Sequence, residues 1–259
     1  MRHLMMILLV TLLPLEAGAE SAEEKGLAII EEADRRDLGW VDATAAMKMI
    51  LRNKQGEESE RSLRISSLEV TDDGDKSLSV FDSPKDIKGT ALLSYTHALE
   101  PDDQWLYLPA LKRVKRIASA NKSGPFVGSE FAYEDLTSQE VEKYTYKWLR
   151  DETLDGRETF VIEAYPAYEN SGYTRQVVWL DKEMYQPVRI DYYDRKDALL
   201  KTLEASDWER YLDRYWRPGR MNMVNHQTGK STELLWSNYE FKTGLSDRDF
   251  DRATLKRTR

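Results

Sequence analysis

Side chains capable of acid–base or nucleophilic catalysis are few in this 259-residue sequence. After His3, the chain has two more histidines, His97 within Ser-Tyr-Thr-His and His226 within Val-Asn-His-Gln. A Ser-His-Asp triad needs a histidine that a carboxylate orients beside a nucleophile, and no nucleophile-elbow motif precedes either residue. We interpret His97 and His226 as polar strand residues and predict no catalytic residue, and therefore no enzyme.

Metal and cofactor motifs are incomplete. Asp247, Asp249 and Asp251 resemble the start of a calcium loop, but Arg252 and Thr258 stand where such a loop requires Gly and Glu. Cysteine is absent, which excludes disulfides, thiolate metal sites and cysteine nucleophiles. No phosphate-binding glycine-rich loop occurs. We predict no metal and no cofactor; zinc held by two histidines and a carboxylate stays open, although nothing places such residues together.

The charge balance is acidic, with 38 Lys and Arg against 46 Asp and Glu and a net charge of -8. Nucleic-acid binding needs a cationic surface, so we predict no nucleic-acid partner. So many carboxylates guarantee chance pairs of the kind that hydrolyse glycosides, and the sequence singles out none of them.

One basic cluster interrupts this acidic sequence, and its members are Lys112, Arg113, Lys115 and Arg116. Charges at these positions either protect an exposed strand edge from pairing with another sheet or contact an anionic head group or an acidic partner surface. Both interpretations stay open from the sequence.

The N-terminus has the pattern of a secretory signal peptide. Met-Arg-His is followed by an apolar run over 4–15 and by Ala-Gly-Ala, a small-residue cleavage site that ends at Ala19. The apolar run has about half of the roughly 20 residues that a membrane span requires. We predict that 1–19 is a signal peptide cleaved after Ala19 and that 20–259 is a periplasmic domain, with a retained N-terminal anchor as the alternative.

The pattern over 22–37 predicts a helix. Ser21 and Glu24, three positions later, form a capping-box pattern at its start. The residues near one predicted face are Leu27, Ile30, Ala33 and Arg36.

The rest of the chain predicts β-strands. Over 41–52, for example, Met47, Met49 and Leu51 recur at every second position, the period of a strand with one buried face. Turn signals recur near the 8–12-residue spacing typical of β-sandwiches and barrels. We predict a mainly β fold, with about eleven strands in one antiparallel sheet and a single domain.

A sheet of this size curls because its strands twist, and its concave face must then be filled. The candidates are the helix over 22–37, the irregular segment 119–137, or a ligand. Apolar and aromatic side chains either pack a core or line an adaptable pocket. We nominate as ligand-binding residues Met47, Met49, Leu51, Trp105, Tyr107, Phe126, Phe131, Trp148 and Trp179.

Three segments carry a family resemblance. They are DQWLYLPALKRVKRI at 103–117, GSEFAYEDL at 128–136 and VWLDK at 178–182. In this order they resemble the LolA-like outer membrane lipoprotein-sorting proteins, a family of exported bacterial proteins, and the resemblance extends over most of the chain.

The resemblance implies an unclosed half-barrel of about eleven strands with helices over its mouth, as in LolA and LolB. It implies an apolar cavity for the acyl chains of a lipoprotein or lipid, which the carrier hands on toward the outer membrane through transient membrane contact. It also implies an inner-membrane transporter of the resistance-nodulation-division (RND) type as a partner. Because cysteine is absent, the chain resembles the freely diffusing LolA more than the membrane-anchored LolB. Two other functions stay open: a non-catalytic accessory subunit of an RND-type lipid exporter and a hydrolase of envelope polymers.

Overall fold

The computed structural model of the protein describes residues 20–71 and 73–257. The predicted signal peptide, 1–19, lies outside the described residues. Within them, no helix is both long enough and apolar enough to cross a membrane.

The single α-helix, α1 (Ala22–Asp37), has the predicted bounds and the predicted cap. The Ser21 hydroxyl accepts a hydrogen bond from the Glu24 amide at 3.1 Å, and the Glu24 carboxylate accepts one from the Ser21 amide at 2.9 Å. These two bonds satisfy amide groups that a helix start otherwise leaves unpaired. The predicted buried face is partly wrong, because Leu27 is exposed while Gly26 and Ile29 are buried.

The close fit of Gly26 to the neighbouring strand explains this rotation of the helix. A Cβ atom on Gly26 would lie 2.7 Å from the backbone nitrogen of Trp148, so only glycine permits this approach. Ile29 then packs against Tyr146 and Ile162, which belong to the sheet beneath the helix.

The described residues also form thirteen β-strands and several short 3-10 helices. They are β1 (Asp42–Arg52), β2 (Glu58–Leu68), β3 (Lys76–Ser83), β4 (Ala91–Tyr95), β5 (Asp103–Leu108), β6 (Arg113–Arg116), β7 (Tyr144–Leu154), β8 (Arg157–Pro166), β9 (Tyr173–Asp181), β10 (Pro187–Asp194), β11 (Leu199–Tyr211), β12 (Tyr215–Asn225) and β13 (Ser231–Phe241). The predicted count of about eleven was too low. The sheet includes short strands, down to the four residues of β6.

All thirteen strands form one antiparallel sheet in the order β6-β5-β4-β3-β2-β1-β13-β12-β11-β10-β9-β8-β7. β6 and β7 are the two edges, and in the described part of the chain they do not pair with each other. The predicted open half-barrel is therefore confirmed.

The main core shows how strongly the sheet curls. Buried side chains from ten strands, β1 to β5 and β9 to β13, form one contact cluster with Phe126 and Phe131. Both phenylalanines belong to the segment 117–143 between β6 and β7, which we call the plug. Side chains on strands so far apart in the sheet can share these partners only if the sheet wraps around the plug. The plug includes the predicted segment 119–137.

Buried polar contacts fix the plug to the sheet. Lys201 Nζ on β11 donates to Asp135 Oδ2 at 2.6 Å and to the Glu130 carbonyl at 2.9 Å, and the two charged side chains are only 4% and 3% exposed. The Tyr173 hydroxyl donates to the other oxygen of Asp135 at 2.7 Å. Since a buried charge is costly without a partner, this cluster stabilises one position of the plug.

The tip of the β11–β12 hairpin holds the C-terminal end of α1. Arg214 donates to the carbonyl of Arg36 at 3.1 Å, and Arg217 pairs with Asp37 at 2.7 Å. Arginine side chains at this end complement the unpaired carbonyls and the negative end of the helix dipole. The helix is therefore anchored at its end as well as along Gly26.

We predict that Gly26→Ala destabilises the protein by about 1–3 kcal/mol, because the added methyl group must push α1 away from β7. Glycine to alanine at an open helix position does the opposite and stabilises by about 1 kcal/mol. The free energy of unfolding, measured in urea, shows whether Gly26→Ala destabilises or stabilises the protein. Ala28→Ser, on the exposed side of α1, is the control and should change little. A stabilised Gly26→Ala variant would contradict the close packing of the helix.

Candidate functional site

A cavity of about 510 Å³ lies on the concave face between α1 and the plug. Its floor consists of side chains from β8 to β12, and Ile30 and Ala33 of α1 form one wall. The apolar floor residues are Ile162, Ala164, Val178, Leu180, Ile190, Leu203 and Met221. The volume falls in the range of about 300–1,000 Å³ that is typical of small-molecule pockets.

Carboxylates surround the same cavity. The acidic lining residues are Asp34, Asp37, Glu69, Asp73, Asp75, Asp135 and Glu140, whereas Arg217 is the one lysine or arginine among the described lining residues. They come from α1, from the β2–β3 connection and from the plug, so only the fold brings them together. We call the six carboxylates other than Asp135 the acidic mouth.

Most of these carboxylates are satisfied by the protein. Asp37 pairs with Arg217, and Asp73 accepts from the His97 ring at 2.8 Å and from the Ala98 amide at 3.0 Å. Glu69 accepts the amides of Gly39 and Val41. The mouth is thus held in place by its own backbone contacts.

Three carboxylates of the mouth are left with raised pKa values. Burial raises the pKa of Asp75 to about 6, although hydrogen bonds from Val70 and Ser138 oppose the shift. Burial, with the charge of Asp75, raises the pKa of Glu140 to about 7, and the charge of Lys143 opposes this. Burial and neighbouring carboxylates also raise the pKa of Asp34. When these groups are ionised, they hold negative charge against an unfavourable environment.

Two mostly buried side chains on the cavity wall carry a hydrogen-bonding group that has no protein partner. Tyr192 on the floor is 3% exposed and Trp40 at the mouth is 7% exposed. Among the described residues, neither the Tyr192 hydroxyl nor the Trp40 indole nitrogen has a hydrogen-bond partner. Neither group is among the buried unpaired atoms of the described residues, which are the indole nitrogens of Trp105 and Trp236. Both groups are therefore accessible to a molecule in the cavity, which can supply their hydrogen-bond partner.

None of the nine sequence-predicted ligand residues is among the residues that line this cavity. Met47, Met49, Phe126 and Phe131 are buried in the main core, with Leu51 packed against it. Trp105 and Tyr107 pack on the opposite face of the sheet with Phe250 and Leu255. Trp148 lies beneath the Lys25 ammonium group, and Trp179 belongs to a cluster with Val161 and Val177 on the convex face.

The basic cluster lies at the edge of the sheet. Lys112 follows the turn at the tip of the β5–β6 hairpin, and Arg113, Lys115 and Arg116 belong to edge strand β6. All four side chains are exposed, and in the described part of the chain only Arg116 forms an ion pair, with Asp103. β5 begins at Asp103 and ends at this tip. Asp103 pairs with Tyr95 on β4, and the next residue, Thr96, donates its amide to the carbonyl of Asp75 in the acidic mouth. Lys112 and Arg113 thus lie at the end of β5 away from the acidic mouth, whereas Arg116 lies at the Asp103 end.

The two histidines form no catalytic arrangement. The Thr202 hydroxyl donates to Asp191 at 2.8 Å and contacts the His226 ring nitrogen Nε2 at 2.8 Å, so the hydroxyl lies between imidazole and carboxylate. In a triad the imidazole takes that central place. His97 contacts Asp73. Within the described ranges, no group of three or more metal-ligating side chains could hold a metal ion.

Comparisons with known proteins agree on one family. A family described as "Uncharacterized protein" matches residues 73–257, well over half of the chain. A crystal structure of a Vibrio parahaemolyticus domain described as outer membrane lipoprotein-sorting is 58% identical, covers 90% of this chain and 99% of its own, and superposes with a TM-score of 0.89. The search of curated proteins found no match.

Two further crystal structures extend the comparison. A DUF1329 family protein from Desulfovibrio piger is 31% identical, with 91% of this chain and 99% of the other covered and a TM-score of 0.86. A LolA superfamily protein from Nitrosomonas europaea is 19% identical over 91% of this chain and 99% of its own, with a TM-score of 0.70. The last of these supports the fold alone.

We predict that the acidic mouth makes the protein less stable as the pH rises. A carboxyl group with a higher pKa in the folded state favours folding most below its unfolded value, 4.5 for Glu140, and loses that contribution as the pH approaches about 7. Thermal unfolding between pH 4.5 and 7.5 should therefore show a fall in Tm that Glu140→Gln reduces. Glu31→Gln, on the exposed side of α1, makes the same charge change and should keep the wild-type slope. Parallel profiles for wild type and Glu140→Gln would contradict the burial of this charge.

Proposed function

This chain belongs to the LolA-like outer membrane lipoprotein-sorting family, and from that membership we propose that it is a periplasmic carrier of acyl chains. It binds the hydrocarbon part of a lipid or lipoprotein, shields it from water and releases it toward the outer membrane. Binding and release need no catalytic residue and no cofactor. We include in the proposal that 1–19 is a signal peptide cleaved after Ala19.

The observation that carries this proposal is the apolar floor of the cavity between α1 and the plug. Each methylene group removed from water contributes about 0.8 kcal/mol, so a few methylenes on this floor suffice for measurable affinity. A carrier must also release its cargo, which limits how much of the acyl chain the cavity should enclose. A cavity of about 510 Å³ that is bordered by carboxylates meets both requirements.

Five of the nine sequence-predicted residues, those in the main core, enter this proposal at a second stage. Phe126 and Phe131 cover the part of the concave face that a longer acyl chain would occupy. Contact between cargo and Met47, Met49 or Leu51 therefore requires the plug to move. The polar ties of the plug through Asp135 and Lys201 set the cost of that movement.

The basic cluster is the surface that we propose for docking. The net charge of -8 keeps most of the molecule away from anionic lipid surfaces. Exposed cations at the β5–β6 tip give it one attractive face toward an anionic membrane or an acidic surface of a donor. We propose an RND-type inner-membrane transporter as that donor. The accessory-subunit function would use the same tip and differs only in carrying no cargo.

We predict that Ala33→Phe lowers the affinity for an apolar fluorescent ligand, N-phenyl-1-naphthylamine, by roughly tenfold. The ring would occupy cavity space, and excluding two methylene-sized groups costs about 1.6 kcal/mol. Fluorescence titration measures the affinity. Ala28→Phe adds the same ring to the exposed side of α1 and should bind as wild type. Equal affinity of Ala33→Phe and Ala28→Phe would place the ligand elsewhere and contradict the proposed cavity.

We predict that Arg113→Glu with Lys115→Glu weakens association with vesicles containing phosphatidylglycerol by roughly tenfold, since each basic residue near an anionic surface contributes about 1 kcal/mol. Neither residue forms an ion pair among the described residues, so folding should be unaffected. Co-sedimentation with vesicles measures the effect. Arg210→Glu with Lys242→Glu is the matched control, because both residues are exposed and lie away from the tip. Unchanged sedimentation of the first variant would leave the basic cluster with a role in protecting the edge strand.

A further inference from the structure

The polar half of the cavity has a strong and uniform charge. The carboxylates of the mouth outnumber its one cation, and that cation, Arg217, is already paired with Asp37. Cations close to the cavity are also engaged, since Lys143 pairs with Asp102, Lys201 with Asp135 and Arg36 with Glu32. The described residues therefore leave a negative field over the opening of an apolar cavity.

Two carboxylates contribute to this field without any compensating contact. Asp34 on α1 and Glu140 on the plug face the cavity from its two sides, and their side chains have no hydrogen bond and no ion pair within the described ranges. Glu140 is half-buried, and a carboxylate with no donor is costly in that position. Asp34 is exposed and adds its charge to the same opening, so a cation that arrives there is attracted by both groups.

The unpartnered groups on the cavity wall point independently to a bound molecule. The Trp40 indole can only donate a hydrogen bond, and the Tyr192 hydroxyl can donate or accept one. Trp40 lies at the mouth and Tyr192 lies deeper on the floor, so a ligand that reaches both must extend from the charged region into the apolar region. Such a ligand has polar acceptor atoms close to its hydrocarbon chain.

We propose that the cargo is an amphiphile whose head group carries an ammonium cation, which the acidic mouth binds while the chain lies on the apolar floor. This inference rests on the proposed carrier function and specifies the cargo class. An ammonium group suits the mouth better than a metal ion, because the carboxylates surround the opening and do not converge on one point. The same field repels fatty acids and singly anionic lipids, so the mouth selects against much of the surrounding membrane lipid.

The test compares two amphiphiles with identical chains, dodecylammonium and laurate, as competitors of N-phenyl-1-naphthylamine at pH 7.5 and low salt. We expect dodecylammonium to compete about tenfold more strongly, a difference of about 1.4 kcal/mol. Raising the salt concentration should reduce this preference, because partly exposed charges are screened. Butylammonium, which has the head group without the long chain, should not compete in the same concentration range.

Asp34→Asn with Glu140→Gln removes the two uncompensated charges and should reduce the preference to about threefold or less. Glu31→Gln on the outer side of α1 controls for net charge and should retain the wild-type preference. Equal competition by both amphiphiles, or stronger competition by laurate, would overturn the cargo class and leave the carrier function standing. Failure of N-phenyl-1-naphthylamine and of both amphiphiles to bind would overturn the carrier function and this inference together. Effective competition by butylammonium would show that the mouth binds amines that have no long hydrocarbon chain. That result would also overturn the proposed cargo class.

Discussion

The concave face of a curled sheet has to be kept from water, and this constraint governs the rest of the structure. Side chains from ten strands turn inward, and the plug covers them through Phe126 and Phe131. Helix α1 covers a second part of the same face over β7 to β9. The two covers meet at Val141, which packs in one cluster with Ile29 of α1, and the floor that they leave uncovered beside this contact is the cavity. The proposed function follows from the incomplete covering of this apolar concave face.

The two covers are held by different forces. α1 is fixed by the fit of Gly26 to β7 and by the β11–β12 hairpin tip at its C-terminal end. The plug combines apolar packing with the buried pair of Lys201 and Asp135. Buried ion pairs cost desolvation as well as gaining attraction, so they fix a geometry more than they add stability. A plug held in this way has one well-defined position, and moving it requires the two buried charges to separate.

Much of the fold could be predicted from the sequence, because its signals are local. The capping box at Ser21 set the start of α1, and alternation around Met47 and Met49 identified a strand whose inward face is buried. The lining of the cavity could not be predicted in this way. Phe126 and Phe131 have the composition of pocket residues, yet they fill the concave face, since the position of the plug depends on contacts distant in sequence. The acidic mouth was invisible for the same reason: its members lie at 34–37, 69–75 and 140, and no local motif links them.

The central claim is that hydrocarbon binds on the concave floor between α1 and the plug. Nuclear Overhauser effects between the chain of bound dodecylammonium and labelled protein methyl groups test it most directly. The account predicts contacts to Ile162, Ile190 and Leu203, which line the cavity. It predicts none to Val161 or Val188, which belong to the cluster on the convex face. Contacts confined to the convex methyl groups, or spread evenly over both faces, would contradict the account.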